Sequence, residues 1–133
     1  MAKTNKKILI LVVEDEKVLV DVLEEKLLKE GFDVIKAADG EEGLHLALAD
    51  HPDLILLDIL MPKVDGMKML KKLREDSWGA HVNVIIFTNF DDESKVAEGM
   101  NINLDNTYQY LVKSNWTLDD LVLKIKETLK LKS

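Results

Sequence analysis

Polar side chains capable of chemistry stand where four apolar stretches of the sequence end. These groups are Asp15 (preceded by Glu14) after 8–13, Asp58 after 54–57, Thr88 after 82–87, and Lys113 after 108–112. An unpaired carboxylate is costly to bury, so Asp58 belongs at the exit of its stretch. Three carboxylates that meet repel one another unless cations neutralise them. The residue types therefore point to a site for a hard divalent cation such as Mg²⁺, which takes oxygen ligands.

The same residue types suit phosphoryl transfer. A carboxylate can attack phosphorus and form an aspartyl phosphate, and this reaction depends mainly on positioning and charge neutralisation. A metal, a lysine and a hydroxyl around Asp58 would meet both needs. Each group also has a structural interpretation, since Glu14 and Asp15 suit the first turn of a helix. Because these groups occur together at the ends of separate apolar stretches, a role in metal binding or catalysis is favoured over a purely structural one.

Five alternating strand and helix units must position these groups. The strands are predicted at 8–13, 32–37, 53–58, 82–87 and 108–112, and the helices at 18–28, 41–50, 65–75, 91–100 and 118–130. Continuous apolar strands without polar alternation are typical of a parallel sheet buried on both faces. We therefore predict an α/β fold, a doubly wound five-stranded parallel sheet of flavodoxin-like order 2-1-3-4-5 with five helices. The strand exits then share one edge, where ligands bind.

Composition narrows the class of protein. The chain has 133 residues, 47% of them hydrophobic, which suits one domain over 8–131 after a flexible N-terminus at 1–7. It has no cysteine, which excludes disulfides and thiolate metal sites and fits a cytoplasmic location. The apolar runs are too short to span a membrane. The net charge of -7 argues against direct binding of nucleic acid.

The sequence resembles the receiver domains of two-component response regulators, in particular single-domain receivers of the chemotaxis-regulator type. The resemblance runs from Ile8 to Leu129. It rests on four motifs in order: Glu14-Asp15, the segment DILMPKVDG at 58–66, Thr88, and YLVK at 110–113. The second motif is highly specific.

The resemblance implies roles for individual residues at a phosphorylation site. Asp58 would be the phosphoacceptor. Asp15, Asp58 and the backbone carbonyl of Leu60 would ligate Mg²⁺, and Glu14 would act mostly through water. Lys113 would form an ion pair with the phosphoryl group.

A conformational switch is implied as well. Thr88 would hydrogen-bond the phosphoryl group, and Tyr110 would be the switch aromatic that turns inward when Thr88 moves. The signal would leave through the face formed by the fourth helix, the fifth strand and the fifth helix. That face would bind a downstream protein, and the resemblance also allows a phosphorylation-dependent homodimer.

The implied function is that of a regulator rather than a turnover enzyme. The protein would accept a phosphoryl group from a sensor histidine kinase or a histidine phosphotransfer protein. With Mg²⁺ it would also phosphorylate itself from a small phosphodonor, and later dephosphorylate itself.

Some residues depart from the family pattern. Ser114 stands where a proline usually follows the lysine, often through a cis bond, and Asn89 stands where a small residue is usual. Leu60 and Phe90 are apolar at positions that flank the acceptor. We hypothesise that these two hinder the hydrolytic water and prolong the life of the phosphoryl group.

Three alternatives stay open. In the first, the chain is the N-terminal receiver of a larger DNA-binding transcriptional regulator. A phosphohydrolase of the aspartyl-phosphate type would need an acid two residues after the nucleophile, where this chain has Leu60. A flavin-binding module would need a Ser/Thr-rich phosphate loop where this chain has Glu14-Asp15-Glu16, whose charges repel phosphate.

Overall fold

A computed structural model of the protein describes residues 7–59, 66–89 and 109–130. The strands are β1 (Leu9–Val13), β2 (Asp33–Ala37), β3 (Leu54–Leu57), β4 (Asn83–Thr88) and β5 (Gln109–Val112). The α-helices are α1 (Lys17–Lys29), α2 (Gly40–Asp50), α3 (Gly66–Glu75) and α4 (Leu118–Thr128), and a 3₁₀ turn covers Lys113–Asn115.

The sheet has the predicted architecture. Its strands are all parallel and lie in the order β2-β1-β3-β4-β5. Every residue of β3 is buried, because both faces of this central strand are covered. Leu11 and Val13 contribute to the core beneath α2 and α3, whereas Ile10 and Val12 contribute to the core beneath α1 and α4. Successive side chains of a strand point to opposite faces, so one short apolar strand serves both cores.

The helix count differs from the prediction. The three described ranges contain four α-helices rather than five, and the predicted fourth helix at 91–100 lies outside them. The predicted fifth helix is therefore α4. Side chains cap α2 and α4 where these helices begin: Asp39 accepts a hydrogen bond from the N–H of Glu42, and Thr117 accepts one from the N–H of Asp120.

The second strand begins one residue later than predicted because Phe32 belongs to the end of α1. The N–H of Phe32 donates to the carbonyl of Leu27, and the N–H of Gly31 donates to that of Leu28. Gly31 has φ 94°, so this is a Schellman motif with glycine in the left-handed region. The hydrogen bond from the N–H of Phe32 to Leu27 keeps Phe32 in the helix cap, so the strand begins at Asp33.

Two interactions fix helices beside the sheet. Arg74 of α3 donates to the carbonyls of Gly79 and Val82, at 2.7 Å and 2.9 Å, and so holds the loop that leads into β4. On the other face, Lys126 of α4 forms an ion pair with Glu30 at the end of α1, at 2.8 Å. Within the ranges given above, no helix is long and apolar enough to cross a membrane.

Candidate functional site

The predicted site lies at the carboxyl edge of the sheet. The N–H of Asp58 donates to the carbonyl of Val13 at 3.0 Å, which continues the β1–β3 ladder one residue beyond β3. In the same way the N–H of Glu14 donates to the carbonyl of Ala37 at 3.0 Å. Each acid is therefore the first residue after a strand, and its backbone N–H still takes part in the sheet hydrogen bonding. Their positions are fixed by sheet hydrogen bonds rather than by loop conformation.

Three carboxylates converge at this edge. Glu14, Asp15 and Asp58 each offer an oxygen, and these oxygens all lie within 4.8 Å of one another. Glu14 and Asp58 are buried, at 4% and 6% exposure, whereas Asp15 is exposed. An all-oxygen donor set with one solvent-facing carboxylate fits a hard cation that keeps some of its water. The predicted carbonyl ligand, that of Leu60, lies outside the described residues.

Lys113 supplies the positive charge. Its Nζ atom lies 2.8 Å from Oε1 of Glu14 and 3.0 Å from Oδ2 of Asp58, and the side chain is 14% exposed. Burial lowers the pKa of the Lys113 ammonium, but its hydrogen bonds to Glu14 and Asp58 outweigh burial and leave the pKa raised. The ammonium therefore stays protonated and neutralises part of the acidic cluster.

Glu14 experiences competing influences. Burial raises the pKa of its carboxyl group, the hydrogen bond from Lys113 lowers it, and the charge of Asp58 raises it again; the net shift is upward. The second oxygen of Glu14, Oε2, accepts a hydrogen bond from the N–H of Glu16 at 3.1 Å. Sequence reasoning missed this bond, because no pattern of residue types distinguishes it from an ordinary solvated acid.

The two residues predicted to act as a switch, Thr88 and Tyr110, lie on the neighbouring strands β4 and β5. Thr88 is fully buried at the end of β4 and pairs in register with Val112, next to Lys113. Tyr110 is half-buried, pairs in register with Ile86, and packs against the core beneath α2 and α3. Thr88 and Tyr110 therefore lie on the two strands that follow β3 in the sheet, near the edge that carries Glu14, Asp15 and Asp58, which we call the acidic edge. Their movement on phosphorylation stays a prediction.

The departures from the family pattern have a defined structure in part. Asn89 is exposed. The bond between Lys113 and Ser114 is trans, as are all peptide bonds in the described segments, and the chain continues as the 3₁₀ turn. Leu60 and Phe90, and with them the hypothesis on phosphoryl lifetime, lie outside the described residues.

Gly66 is a further site residue, at the start of α3. A Cβ atom built there would lie 2.7 Å from Cα of Ile59 and closer still to the carbonyl oxygen of Asp58. Both neighbours are backbone atoms, so neither can move cheaply. In the sequence Gly66 is the last residue of the motif at 58–66, and residue type alone does not reveal this close approach.

The chain is similar in sequence to known regulatory proteins. The profile of the response regulator receiver domain matches residues 10–126. Over 102 residues the chain is 40% identical to the alkaline phosphatase synthesis transcriptional regulatory protein PhoP of Bacillus subtilis, covering 77% of this chain and 41% of PhoP. It is 37% identical over 121 residues to the probable transcriptional regulator ycf27 of Porphyridium aerugineum, covering 91% of this chain and 48% of that protein. The chain thus spans less than half the length of these curated relatives.

Solved structures agree in fold. The receiver domain of the Francisella response regulator 1452 is 30% identical, with a TM-score of 0.77 over 93% of this chain and 98% of that one. Response regulator TrrA of Thermotoga maritima, solved in complex with Mg(2+)-BeF, is 28% identical, with a TM-score of 0.75 over 91% of this chain and 98% of that one. Together with the profile match, these similarities show that the chain belongs to the response regulator receiver domain family.

Proposed function

We propose that the protein is a phosphorylation-activated receiver whose phosphoacceptor is Asp58. The observation that carries the proposal is the placement of this carboxylate, which is buried at the exit of β3, beside two other acids and 3.0 Å from the ammonium of Lys113. A carboxylate held in this way can attack phosphorus, and the positively charged ammonium of Lys113 lies next to it. The phosphoryl group would come from a sensor histidine kinase or a histidine phosphotransfer protein.

Mg²⁺ is the proposed cofactor. The carboxylates of Asp15 and Asp58 and the backbone carbonyl of Leu60 would hold it, with Glu14 acting mostly through water. The support is the all-oxygen donor set within 4.8 Å, together with the solved complex of TrrA with Mg(2+)-BeF. When bound, the ion supplies charge neutralisation to the acidic edge.

The chain's own residues would complete the reaction and read it out. Lys113 neutralises charge at Asp58, and the Thr88 hydroxyl is proposed to hydrogen-bond the phosphoryl group. Phosphorylation adds roughly -1.5 to -2 charge at this edge, which attracts donors and cations. As Thr88 and Lys113 move toward it, Tyr110 would repack and alter the face of the fourth predicted helix, β5 and α4.

The proposed biological role is signalling through protein contact. The protein would act as a self-phosphorylating and self-dephosphorylating phosphoacceptor in the cytoplasm, not as a turnover enzyme, and would bind a downstream protein or a second copy through that face. A second candidate has a specific observation behind it. The curated relatives are transcriptional regulators more than twice as long as the matched region. The chain would then be the receiver part of a DNA-binding regulator.

Intact-mass spectrometry after incubation with acetyl phosphate and Mg²⁺ tests the phosphoacceptor. We expect one phosphoryl adduct that is lost in Asp58→Ala and without Mg²⁺. Asp50→Ala is the matched control, because Asp50 is an exposed acid at the end of α2 and stands on no strand exit. An adduct that survives Asp58→Ala, or that disappears in Asp50→Ala, would contradict the assignment.

A further inference from the structure

We infer that four charged side chains fix α4 in one position on α1, so that α4 is not displaced from α1 when the site is phosphorylated. These side chains, which we call the interhelical clasp, are Lys26, Glu30, Asp119 and Lys126. The part that concerns phosphorylation rests on the proposed function, whereas the restraint on α4 is present without it.

The clasp is a chain of alternating charges. Lys26 donates a hydrogen bond to Asp119. Lys126 donates a hydrogen bond to Glu30 at 2.8 Å. A third contact, 4.0 Å between Lys26 and Glu30, connects the two pairs. Isolated ion pairs at a protein surface contribute little, but charges that are joined in a network are more effective.

The clasp holds α4 at both of its ends. Asp119 lies in the first turn of α4, and Lys126 lies in its last turn. Seven residues of helix separate the two points, which is about 10 Å along the helix axis at 1.5 Å per residue. A single attachment would let α4 pivot about it. Two attachments at this separation oppose both pivoting and sliding along α1.

The apolar contacts beneath the clasp bring the two helices together but do not fix their register. Leu23 and Leu27 of α1 belong to the same buried core as Leu121, Val122 and Ile125 of α4. The hydrophobic effect that drives this burial is non-directional. A charge-assisted hydrogen bond has a defined geometry, so the clasp selects one position among those that the core permits.

The position of Glu30 supports this role. Glu30 is the C-cap residue of α1, where the helix dipole disfavours a negative charge. The hydrogen bond from Lys126 nevertheless lowers the pKa of Glu30, and the hydrogen bond to Asp119 raises the pKa of Lys26. Both groups are therefore stabilised in their charged forms by contacts that cross between the helices.

The two clasped helices begin close to the site. α1 begins at Lys17, two residues after Asp15, and α4 begins at Leu118, five residues after Lys113. If α4 is fixed on α1, the face formed in part by β5 and α4 changes through side-chain repacking, such as that proposed for Tyr110. Displacement of the whole helix would then not carry the signal.

Double electron–electron resonance between two spin labels measures the position of α4 on α1 in the full chain. The chain has no cysteine, so Val18→Cys on α1 and Leu123→Cys on α4 provide two unique labelling sites. These side chains are 72% and 53% exposed, and neither belongs to the clasp. In the otherwise unchanged chain we expect a single narrow distribution of distances.

A clasp variant and a matched control separate the restraint from net charge. Lys26→Met with Lys126→Met removes all three contacts of the clasp. Lys17→Met with Lys29→Met makes the same substitutions in lysines that pair within α1, at 3.3 Å and 3.6 Å. We expect a broader distribution in the clasp variant and an unchanged one in the control. Equal distributions in the two would overturn the inference.

Lys126→Met alone decides the question if the double variant does not fold. It removes one of the two attachments and leaves the bond between Lys26 and Asp119 in place. Its distribution should be broader than that of Lys29→Met alone, because α4 can pivot about the remaining attachment. Equal widths in these two folded variants would overturn the inference.

Phosphorylation by acetyl phosphate and Mg²⁺, with the adduct followed by intact mass, completes the test. We expect the distance to stay the same in the labelled chain with an intact clasp and to shift in the clasp variant. A shift with the clasp intact, or no shift in the clasp variant, would overturn the inference. If no adduct forms with the clasp intact, the proposed function fails. The comparison of clasp variant and control without phosphodonor still decides whether the clasp fixes α4.

Discussion

Replacing Lys113 by Met tests whether the acidic edge depends on this one cation. The ammonium lies 2.8 Å from Glu14 and 3.0 Å from Asp58, and both carboxylates are at most 6% exposed. The pair therefore belongs to the buried class, for which removal of one partner costs about 3–5 kcal/mol because it leaves buried charge uncompensated. We expect the free energy of unfolding to fall by about 3 kcal/mol, the lower end of that range, since Asp15 stays open to water.

Lys29→Met is the matched control. Lys29 pairs with Glu25 at 3.6 Å on the outer surface of α1, where both side chains are more than 70% exposed. Exposed pairs of this kind contribute about 0–1 kcal/mol. The control removes the same charge and adds the same side chain, so it reports the part of the effect that is not specific to the site.

Mg²⁺ should reverse the loss. A ligand that binds the folded state alone stabilises it by about 2.7 kcal/mol at a concentration of 100 times Kd. Without Lys113, the cluster keeps its three carboxylates and loses the ammonium that bonds Glu14 and Asp58. We therefore expect tighter Mg²⁺ binding in Lys113→Met than in the wild type, and a larger gain in stability at the same Mg²⁺ concentration.

Urea unfolding followed by far-UV circular dichroism, with and without Mg²⁺, measures both effects. A loss no larger than that of Lys29→Met would refute the view that the lysine neutralises buried carboxylates. So would a Mg²⁺-induced gain in Lys113→Met that is smaller than that of the wild type.

Three further predictions concern stability and site geometry. Burial raises the pKa of Glu14 in the folded state, so its contribution to stability is present at low pH and is lost as the pH rises through that raised value. In metal-free urea titrations, the stability of Glu14→Gln relative to the wild type should therefore increase with pH; a constant difference would contradict this. Gly66→Ala places a Cβ atom against the backbone of Ile59 and should destabilise the fold by about 1–3 kcal/mol. The same variant should bind Mg²⁺ more weakly. An unchanged Mg²⁺ affinity would show that the close approach at Gly66 does not set the position of Asp58. Arg74→Met leaves two backbone carbonyls without their guanidinium donor and should lower the free energy of unfolding by about 1–3 kcal/mol. A change near zero would show that these two hydrogen bonds do not stabilise the fold.

The sequence was sufficient to predict the acidic edge because each part of the signal is local. A buried parallel strand needs several apolar residues and cannot end in an unpaired charge within its interior. The run before Asp58 therefore predicts both β3 and the place of its carboxylate. The parallel order then brings Glu14 and Lys113 to the same edge, although 99 residues separate them.

The bonds made by individual atoms could not be predicted in this way. Whether Lys113 bonds one carboxylate or two depends on distances of a few tenths of an ångström between three strand ends. The start of β2 shows the same limit on a smaller scale, since Phe32 is apolar and suits a strand, but its N–H completes the cap of α1. Residue type indicates where a group belongs, and only the packed chain decides which partner it bonds.

The absence of proline after the lysine shows how a family pattern can change without loss of the site. A proline at 114 would fix the backbone where the chain leaves β5. Here the 3₁₀ turn performs that task, as the N–H of Trp116 donates to the carbonyl of Lys113 at 3.3 Å. Trp116 in turn packs against the core beneath α1 and α4, so the turn is held at its far end. The ammonium of Lys113 lies 3.0 Å from Asp58, and the peptide bond that follows Lys113 is trans. With serine at 114, Lys113 therefore still contacts both Glu14 and Asp58.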